Sequence, residues 1–241
     1  MLAYPVSDKP IEYNKVSMQP KLDGVRCVIQ CEIIHGAPCV TAYSRTGKVW
    51  KNIDHIRMEL RSFFKKYPNV ILDGELYNHD LRDDFEKIIS LVRKQKPTNE
   101  DRQEARDLVQ FHCYDVIDET LTFEERNYFV QKHIKPSYCI KHVTTMAVGD
   151  DRLAKMIHQQ NLKNGYEGSI LRTNDTYQCK RSHNLRKFKD FSDAEAIIIG
   201  YQPGKGKREG TLGKFVMQDE DGNVFGCPPG KGYNYKDLTT M

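Results

Sequence analysis

The 241-residue sequence lacks any apolar run that approaches the ~20 residues needed for a membrane-spanning helix. Its opening segment, MLAYPVSDKP, has neither the basic start nor the apolar core of a secretory signal. Internal repeats and low-complexity segments are also missing. These absences predict a globular, cytoplasmic protein without a membrane partner.

Cysteine patterns typical of metal or redox sites are missing as well. Seven cysteines are present, but the number is odd and no two of them have CxxC spacing. The eight histidines form no zinc-type pair with nearby cysteines. The sequence therefore predicts that most of the cysteines are buried free thiols, and it disfavours a disulfide framework or a metal site built on histidine and cysteine.

The chain has little net positive charge, because its 37 basic residues are nearly balanced by 33 acidic ones and leave only +4. The excess is concentrated between Lys180 and Lys214, where nine basic residues stand against four acidic ones. Such a stretch suits phosphate or a nucleic-acid backbone. A solvated basic face is an equally good interpretation of the charge alone.

The apolar periodicity predicts an α+β fold with separate strands and helices, without a regular βαβ alternation. Strands are predicted at 25–34, 39–44, 69–77, 111–117 and 168–172. Helices are predicted at 52–66, 82–96, 122–134 and 151–163, the third opened by a Thr122–Glu125 capping box.

A change of character near residue 190 predicts a domain boundary. A larger domain is expected at 1–190, and a small all-β module at 191–241. The second segment contains a basic, glycine-rich loop at 203–214 and an Asp-Gly pair between two strand-like runs, which is a hairpin signal.

Lys21 is the first candidate for chemistry, in the run KLDGVR at 21–26. It follows Pro20 and precedes a turn at Asp23 and Gly24, so it projects from a stiff turn at a strand edge. A nucleophilic lysine must lose its proton, which nearby cations and restricted hydration favour. Taken alone, the motif is more often a surface lysine beside a turn.

Carboxylates and an aromatic residue follow in later strands. Asp73-Gly74-Glu75 ends an apolar strand, where carboxylates suit a ribose hydroxyl or a magnesium ion and glycine allows close approach. Tyr114, in FHCYDVI, has a ring face on which a base can stack. A plain turn and a core tyrosine are the simpler interpretations.

Basic residues close the pattern. Glu167-Gly168 enters the strand GSILR, and Lys187 and Lys189 alternate with Phe188 in the run KFK. On a strand the two lysines lie on one face, where two ammonium groups form a phosphate clamp. A solvated edge strand is the alternative.

Together, in this order, these motifs resemble the covalent nucleotidyltransferase superfamily of DNA ligases, RNA ligases and mRNA capping enzymes. The matching runs are KLDGVR, SRTG at 44–47, DGEL, CYDVI, EGSILR and KFK, and the resemblance covers about residues 18–201. It is closest to the small ATP-dependent DNA ligases of phages and large DNA viruses. The host cytoplasm would then be the place of action.

The resemblance implies an adenylation domain of antiparallel sheets with flanking helices, followed by a partial or reduced OB-like domain. It implies that Lys21 attacks the α-phosphate of ATP, that AMP passes to the 5′-phosphate of nicked duplex DNA, and that the 3′-OH displaces it. Mg²⁺ or Mn²⁺ is the expected metal, and a monomer the expected state.

The resemblance also implies residue roles. ATP contacts are expected from Gln19, Lys21, Arg26, Arg45, Glu75, Tyr114, Arg181, Lys187 and Lys189. Metal contacts are expected from Glu75 and Glu167. DNA contacts are expected from Arg45, Lys205, Lys207, Arg208 and Lys214. Within these sets, Arg26 and Glu75 are assigned to the ribose, Tyr114 to adenine stacking, and the three basic residues from Arg181 onward to the phosphates.

Three other functions stay open at this stage. An RNA ligase shares the KxDG, EG and KxK motifs, and a capping guanylyltransferase shares KxDGxR. A nick-binding module without catalysis is the third, because the sequence does not contain the arginine-proline motif with which the family's OB domain ends.

Overall fold

The computed structural model describes residues 1–189 and 195–230, with the side chain of Lys207 left aside. The chain divides into two compact units, Met1–Lys189 and Asp190–Met241. Of the small module predicted at 191–241, the structure therefore describes 195–230.

Ten strands form two five-stranded sheets in the first unit. The strands are β1 Leu2–Pro5, β2 Val16–Lys21, β3 Val25–Ile34, β4 Ala37–Tyr43, β5 Leu72–Tyr77, β6 Gln110–Val116, β7 Ile140–His142, β8 Met146–Val148, β9 Gly168–Thr173 and β10 Arg181–Phe188. The first sheet has the order β1-β10-β9-β2-β8 and the second the order β4-β3-β5-β6-β7. Neighbouring strands are antiparallel except for β1 with β10 and β6 with β7.

Six helices cover these sheets. They are α1 Asp54–Glu59, α2 Arg61–Lys66, α3 Phe85–Val92, α4 Asn99–Leu108, α5 Phe123–His133 and α6 Asp151–Lys163. Apolar side chains of the first five join the buried cluster against the second sheet, and α6 packs Ala154 and Ile157 against the first. No helix among the described residues combines the length and apolar character needed to cross a membrane.

This mixed, largely antiparallel architecture confirms the predicted fold class. The helices at 122–134 and 151–163 form nearly as predicted, and the Thr122–Glu125 capping box is present. The helix predicted at 52–66 is interrupted at Leu60 and becomes α1 and α2. Helix α4 was missed, because Ala105 is its one buried residue and it therefore has almost no apolar face.

The second unit contains a three-stranded antiparallel sheet in its described part. Its strands are β11 Ile197–Pro203, β12 Leu212–Gln218 and β13 Val224–Cys227, paired in that order. The predicted Asp-Gly hairpin is confirmed between β12 and β13, where Gly222 has φ +82°. That conformation is one that glycine adopts without a steric penalty.

Candidate active site

An inner cavity of about 150 Å³ lies between the two sheets of the first unit. Residues of β2, β9 and β10 line it from one sheet, and residues of β5 and β6 line it from the other. The lining residues are Met1, Gln19, Pro20, Lys21, Leu22, Asp73, Glu75, Tyr114, Ile170, Arg172 and Leu185. Folding thus brings together predicted site residues from three distant parts of the sequence: Gln19 and Lys21, Glu75, and Tyr114.

Lys21 is the last residue of β2 and is paired with Gly168, the first residue of β9. A Cβ at position 168 would lie 2.3 Å from the carbonyl oxygen of Phe188, so only glycine fits between these strands. The residue before this glycine, Glu167, forms an ion pair with the Lys21 ammonium. The Glu-Gly sequence therefore sets a carboxylate against the predicted nucleophile.

Lys189 binds the second oxygen of the same carboxylate, so Glu167 bridges two lysines. Burial lowers the pKa of Lys21, while Glu75 in its ionised form and Asp23 oppose that shift. The pKa of Lys189 is also lowered, first by burial and then by the charge of Lys21. Of the two influences expected from the sequence, restricted hydration is therefore the one that favours a neutral Lys21, and no neighbouring cation is among the causes that lower its pKa.

Arg26 is engaged with Asp73 in the second sheet. Its Nε and Nη2 atoms each donate to one carboxylate oxygen of Asp73 at 2.9 Å. The Tyr177 hydroxyl donates to the same carboxylate at 2.7 Å and accepts from Arg26 at 2.7 Å. Arg26 is therefore held by a bidentate ion pair, and the predicted ribose contact would require it to share or leave Asp73.

Glu75 lies beside this ion pair, opposite Arg26 in the strand register. The Tyr114 hydroxyl donates to Glu75 at 3.5 Å and to Asp73 at 3.3 Å. Burial and the charge of Asp73 raise the pKa of Glu75 to about 8. At neutral pH this carboxyl is therefore mostly protonated until a cation or a ligand compensates its charge.

Gly74 serves packing in this structure. A Cβ there would lie 2.4 Å from the Phe111 ring and 2.5 Å from the His112 carbonyl oxygen. The sequence predicted that Gly74 lets a ligand approach the backbone closely. In the structure, Gly74 lets residues of β6 pack closely against β5.

The Gln19 side chain is buried in the wall of the cavity, only 2% exposed, and both of its polar atoms are hydrogen-bonded. Its amide nitrogen donates to the Thr145 hydroxyl at 2.9 Å and to the Tyr114 carbonyl oxygen at 3.3 Å. Its amide oxygen accepts from Arg172 Nε at 2.6 Å. The Gln19 side chain therefore ties β2 to β6 and β9.

Arg172 is a site residue that sequence reasoning missed. It is 5% exposed, donates to Asp115 at 2.8 Å, and lies 5.2 Å from the centre of the Tyr114 ring. Asp115 is in turn held by Arg126 at 2.7 Å. The signal was present in the motifs, because Arg172 ends EGSILR and Asp115 follows Tyr114, but their mutual contact is a tertiary fact.

The predicted clamp is only partly assembled. Phe188 stacks on the His158 ring, with centroids 4.0 Å apart, and Lys189 binds Glu167. Because β10 ends at Phe188, the placement of Lys187 and Lys189 on one face of a strand stays a prediction. Arg181 does not join them. It begins β10, beside Leu2, whereas Lys187 lies near the other end of the strand, and six residues of strand separate them by roughly 20 Å. Arg181 instead donates to the Ala3 carbonyl oxygen.

An outer cavity of about 880 Å³ lies beside the inner one and shares Glu75 with it. The predicted Ser44–Gly47 turn forms its wall, closed by a hydrogen bond from Gly47 to Ser44 at 3.0 Å. Arg45 projects from this turn. Lys48 and Arg93 are further lining residues, and no carboxylate pairs with any of these three cations within the described residues.

Metal ligands were predicted at Glu75 and Glu167. Within the described chain, no group of three histidine, cysteine, aspartate or glutamate residues is arranged to hold a metal ion. Both carboxylates do face the Lys21 region. A Mg²⁺ ion bound by one or two carboxylates and by substrate phosphates is compatible with this donor set.

The basic residues of the second unit are divided between a loop and a strand. Lys205 and Arg208 lie exposed in the loop after β11. Lys214 belongs to β12, and its side chain lies over Gly226 of β13, so the loop is shorter than the predicted segment 203–214. The side chain of Lys207 is outside the described part.

Two facing sheets, with a lysine at a strand edge and a partly buried tyrosine beside it, are the arrangement expected of a nucleotidyltransferase domain. Comparison with known proteins gives the family: the model of the ATP-dependent DNA ligase domain matches residues 1–189. The chain belongs to the ATP-dependent DNA ligase family.

Named relatives agree with this assignment. A DNA ligase of African swine fever virus is 31% identical over 207 residues, which cover 81% of this chain and 46% of that protein. The chain thus spans about half the length of this relative. A DNA ligase of Haemophilus influenzae is 26% identical, with 98% of this chain and 79% of that protein covered.

Solved structures share the fold. A Lig E DNA ligase has a TM-score of 0.77 at 23% identity, covering 99% of this chain and 86% of its own. The bacteriophage T7 ATP-dependent DNA ligase in complex with ATP has a TM-score of 0.57 at 18% identity, covering 89% of this chain and 74% of its own.

Proposed function

We propose that this protein seals nicks with 3′-OH and 5′-phosphate ends in duplex DNA, through a lysyl–AMP and a DNA–adenylate. The observation that carries the proposal is the convergence of Lys21, Glu167 and Lys189 at the mouth of the inner cavity. A lysine with a lowered pKa, beside a carboxylate and a second ammonium, is suited to attack a phosphate.

In the first step the neutral Lys21 Nζ attacks the α-phosphorus of ATP, and the bond from that phosphorus to the pyrophosphate oxygen breaks. The proton lost from Nζ can pass to Glu167, the carboxylate that Lys21 contacts. Lys187 and Lys189 neutralise charge on the phosphates. In this account Arg181 takes no part, because it lies at the far end of β10.

In the second step a 5′-phosphate oxygen of the nick attacks the lysyl–AMP phosphorus and the phosphorus–nitrogen bond breaks. In the third, the 3′-OH attacks the 5′-phosphorus and AMP leaves. Glu75 and Glu167 would hold a Mg²⁺ or Mn²⁺ ion, which supplies charge neutralisation at the phosphate oxygens when bound.

The outer cavity is the proposed entrance for the nick. Arg45, Lys48 and Arg93 line it without carboxylate partners in the described residues, and such cations attract phosphate groups. Because this cavity shares Glu75 with the inner one, a phosphate bound there would lie next to the adenylate.

The test is incubation with ATP labelled in the α-phosphate and Mg²⁺, followed by mapping of the labelled residue and addition of nicked substrates. We expect label on Lys21 and sealing of nicked duplex DNA. Lys21→Arg is the control variant, and it should take no label because a guanidinium stays protonated.

Three results would contradict the proposal: labelling by GTP in preference to ATP, sealing of RNA strands in preference to DNA, or no label at all. They correspond to a capping guanylyltransferase, an RNA ligase and a binding module. A monomeric state and action in the cytoplasm stay predictions, tested by light scattering and by fractionation of producing cells.

A further inference from the structure

Arg172 forms part of the wall of the inner cavity and is held there from two sides. Its Nε donates to Gln19 at 2.6 Å, and its Nη1 donates to Asp115 at 2.8 Å. The carbon of its guanidinium lies 5.2 Å from the centre of the Tyr114 ring and 4.9 Å from that of Phe123. The guanidinium plane therefore has little freedom to rotate.

The remaining nitrogen of this guanidinium, Nη2, makes no hydrogen bond to any residue that the structure describes. Nη2 is not fully buried either, so this unpaired nitrogen keeps some accessible surface. The side chain as a whole is 95% buried, and the cavity is the space that it lines. Two N–H donors thus remain for a molecule in the cavity.

We propose that Arg172 reads the nucleobase, with Nη2 donating to a ring nitrogen of the adenine. This proposal rests on the proposed function, because it requires the inner cavity to hold the base of ATP. A guanidinium carries donors and no acceptor, so it can only bind an acceptor on the base. Arg172 is thus a specificity-determining residue in addition to the predicted stacking residue Tyr114.

Burial and the hydrogen bonds to Asp115 and Gln19 make Nη2 selective for bases that present an acceptor to it. A buried donor that loses its acceptor is left unpaired, which discriminates more strongly than a change in apolar contact. Adenine offers acceptor nitrogens at N1, N3 and N7. Guanine shares N3 and N7 but carries a hydrogen on N1, so this donor discriminates adenine from guanine where its acceptor is N1. Asp115 and Gln19 hold the guanidinium, so it cannot turn away from an unsuitable base.

The test is formation of the Lys21 adenylate from ATP and from its 1-deaza, 3-deaza and 7-deaza analogues, each of which replaces one ring nitrogen by C–H. With the wild type, we expect one analogue to raise KM at least about tenfold, as a lost hydrogen bond in a buried site does. Arg172→Lys should raise the KM for ATP by a similar factor, and it should abolish the difference between ATP and that analogue.

The matched control is Arg186→Lys, another buried arginine of the same sheet, 7% exposed, whose hydrogen bonds go to backbone carbonyl oxygens away from the cavity. Arg186→Lys should rank ATP and the three analogues by KM in the same order as the wild type. Thermal melting of both variants verifies that they are folded.

Equal use of ATP and all three analogues by the wild type would overturn the proposal, whether or not the variant folds. So would an Arg172→Lys protein that loses activity with every nucleotide by the same factor, which is the result of a purely structural role. Absence of any adenylate on wild-type Lys21 is a different outcome, because it would refute the proposed function itself.

Discussion

At the residue scale, the site depends on how each side chain is solvated. Lys21 and Glu75 have pKa values displaced towards their neutral forms, and burial is the largest cause in both. Titratable groups perturbed in this way concentrate at functional sites. The displacement has consequences for stability as well as for chemistry.

Glu75→Gln should stabilise the protein at alkaline pH. The folded-state pKa of Glu75 is about 8 against an ordinary value of 4.5, so the folded protein binds this proton more tightly than the unfolded chain. The contribution of Glu75 to stability is therefore complete below about pH 4.5 and is lost as the pH rises through about 8.

Glutamine cannot ionise, so the free energy of unfolding of the variant should increasingly exceed that of the wild type as the pH rises. The difference should reach roughly 1–2 kcal/mol, after allowance for solvent at a partly exposed carboxyl. The measurement is the Tm of both proteins between pH 5.5 and 8.5. A constant difference in Tm would show that Glu75 is ionised throughout. Adenylate formation by the variant should fall, because the proposed ribose and metal contact of Glu75 is removed.

Tyr114→Ala should weaken ATP binding by ~1–3 kcal/mol, the usual contribution of base–aromatic stacking. Tyr114→Phe should leave the affinity for ATP nearly unchanged, since it keeps the ring and loses only the long hydrogen bonds to Asp73 and Glu75. Equilibrium titration with ATP gives both values. If phenylalanine is as damaging as alanine, the hydroxyl carries the effect and stacking does not.

At the scale of elements, strand ends and glycines set the positions of the charged groups. The β2–β9 pairing puts Lys21 against Gly168, and Glu167 immediately precedes that glycine. The KxDG and EG motifs thus meet at one end of a single strand pair.

Gly168→Ala should destabilise the protein by roughly 2–4 kcal/mol and impair adenylate formation. The residue has φ +152°, and an added Cβ would lie 2.3 Å from the Phe188 carbonyl oxygen, so β9 and β10 must separate. That movement would displace Lys189 from Glu167. Gly149→Ala is the matched control, since nothing lies within 4 Å of a Cβ there. Chemical denaturation measures both, and similar losses in the two variants would contradict the steric explanation.

Secondary structure was predictable where apolar periodicity was strong. β3 has the predicted limits of 25–34, and α6 those of 151–163. The short strands β1, β7 and β8 were missed, because three or four residues carry too little pattern and are strands only through pairing with neighbours. Helix α4 could have been recognised from its Thr98–Asp101 capping box, which is present in the structure.

At the scale of the whole molecule, basic residues occur in both units, and we propose that each unit offers a surface for DNA phosphates. In the first, Arg45, Lys48 and Arg93 line the outer cavity. In the second, Lys205 and Arg208 lie in the loop after β11. The contributions of the two surfaces to DNA binding are separable by mutation.

Neutralising Lys205, Lys207, Arg208 and Lys214 together should weaken binding to nicked duplex of any sequence. It should also flatten the salt dependence, since each lost phosphate contact removes about 0.9 from the slope of log affinity against log salt. Fluorescence anisotropy over a salt series measures this slope. Adenylate formation on Lys21 should be unchanged, because it requires only ATP and metal.

The matched variant replaces Arg45, Lys48 and Arg93 with alanine. If the quadruple variant keeps the wild-type slope while this triple variant flattens it, the DNA lies on the first unit alone and the prediction for the loop is wrong.

The sequence by itself determined the family and the identity of the nucleophile candidate, because KLDGVR, DGEL, CYDVI, EGSILR and KFK are local patterns whose order survives without coordinates. It also determined the α+β class, through periodicities of two and of 3.6 residues. Only the tertiary structure decided which charges meet. Arg26 with Asp73 and Arg172 with Asp115 are 47 and 57 residues apart in sequence, and Arg181 is excluded from the clamp by the length of one strand. The physical reason is that ion pairing and desolvation depend on distance and burial, which are properties of the folded packing of two sheets and are not encoded in the spacing of residues along the chain.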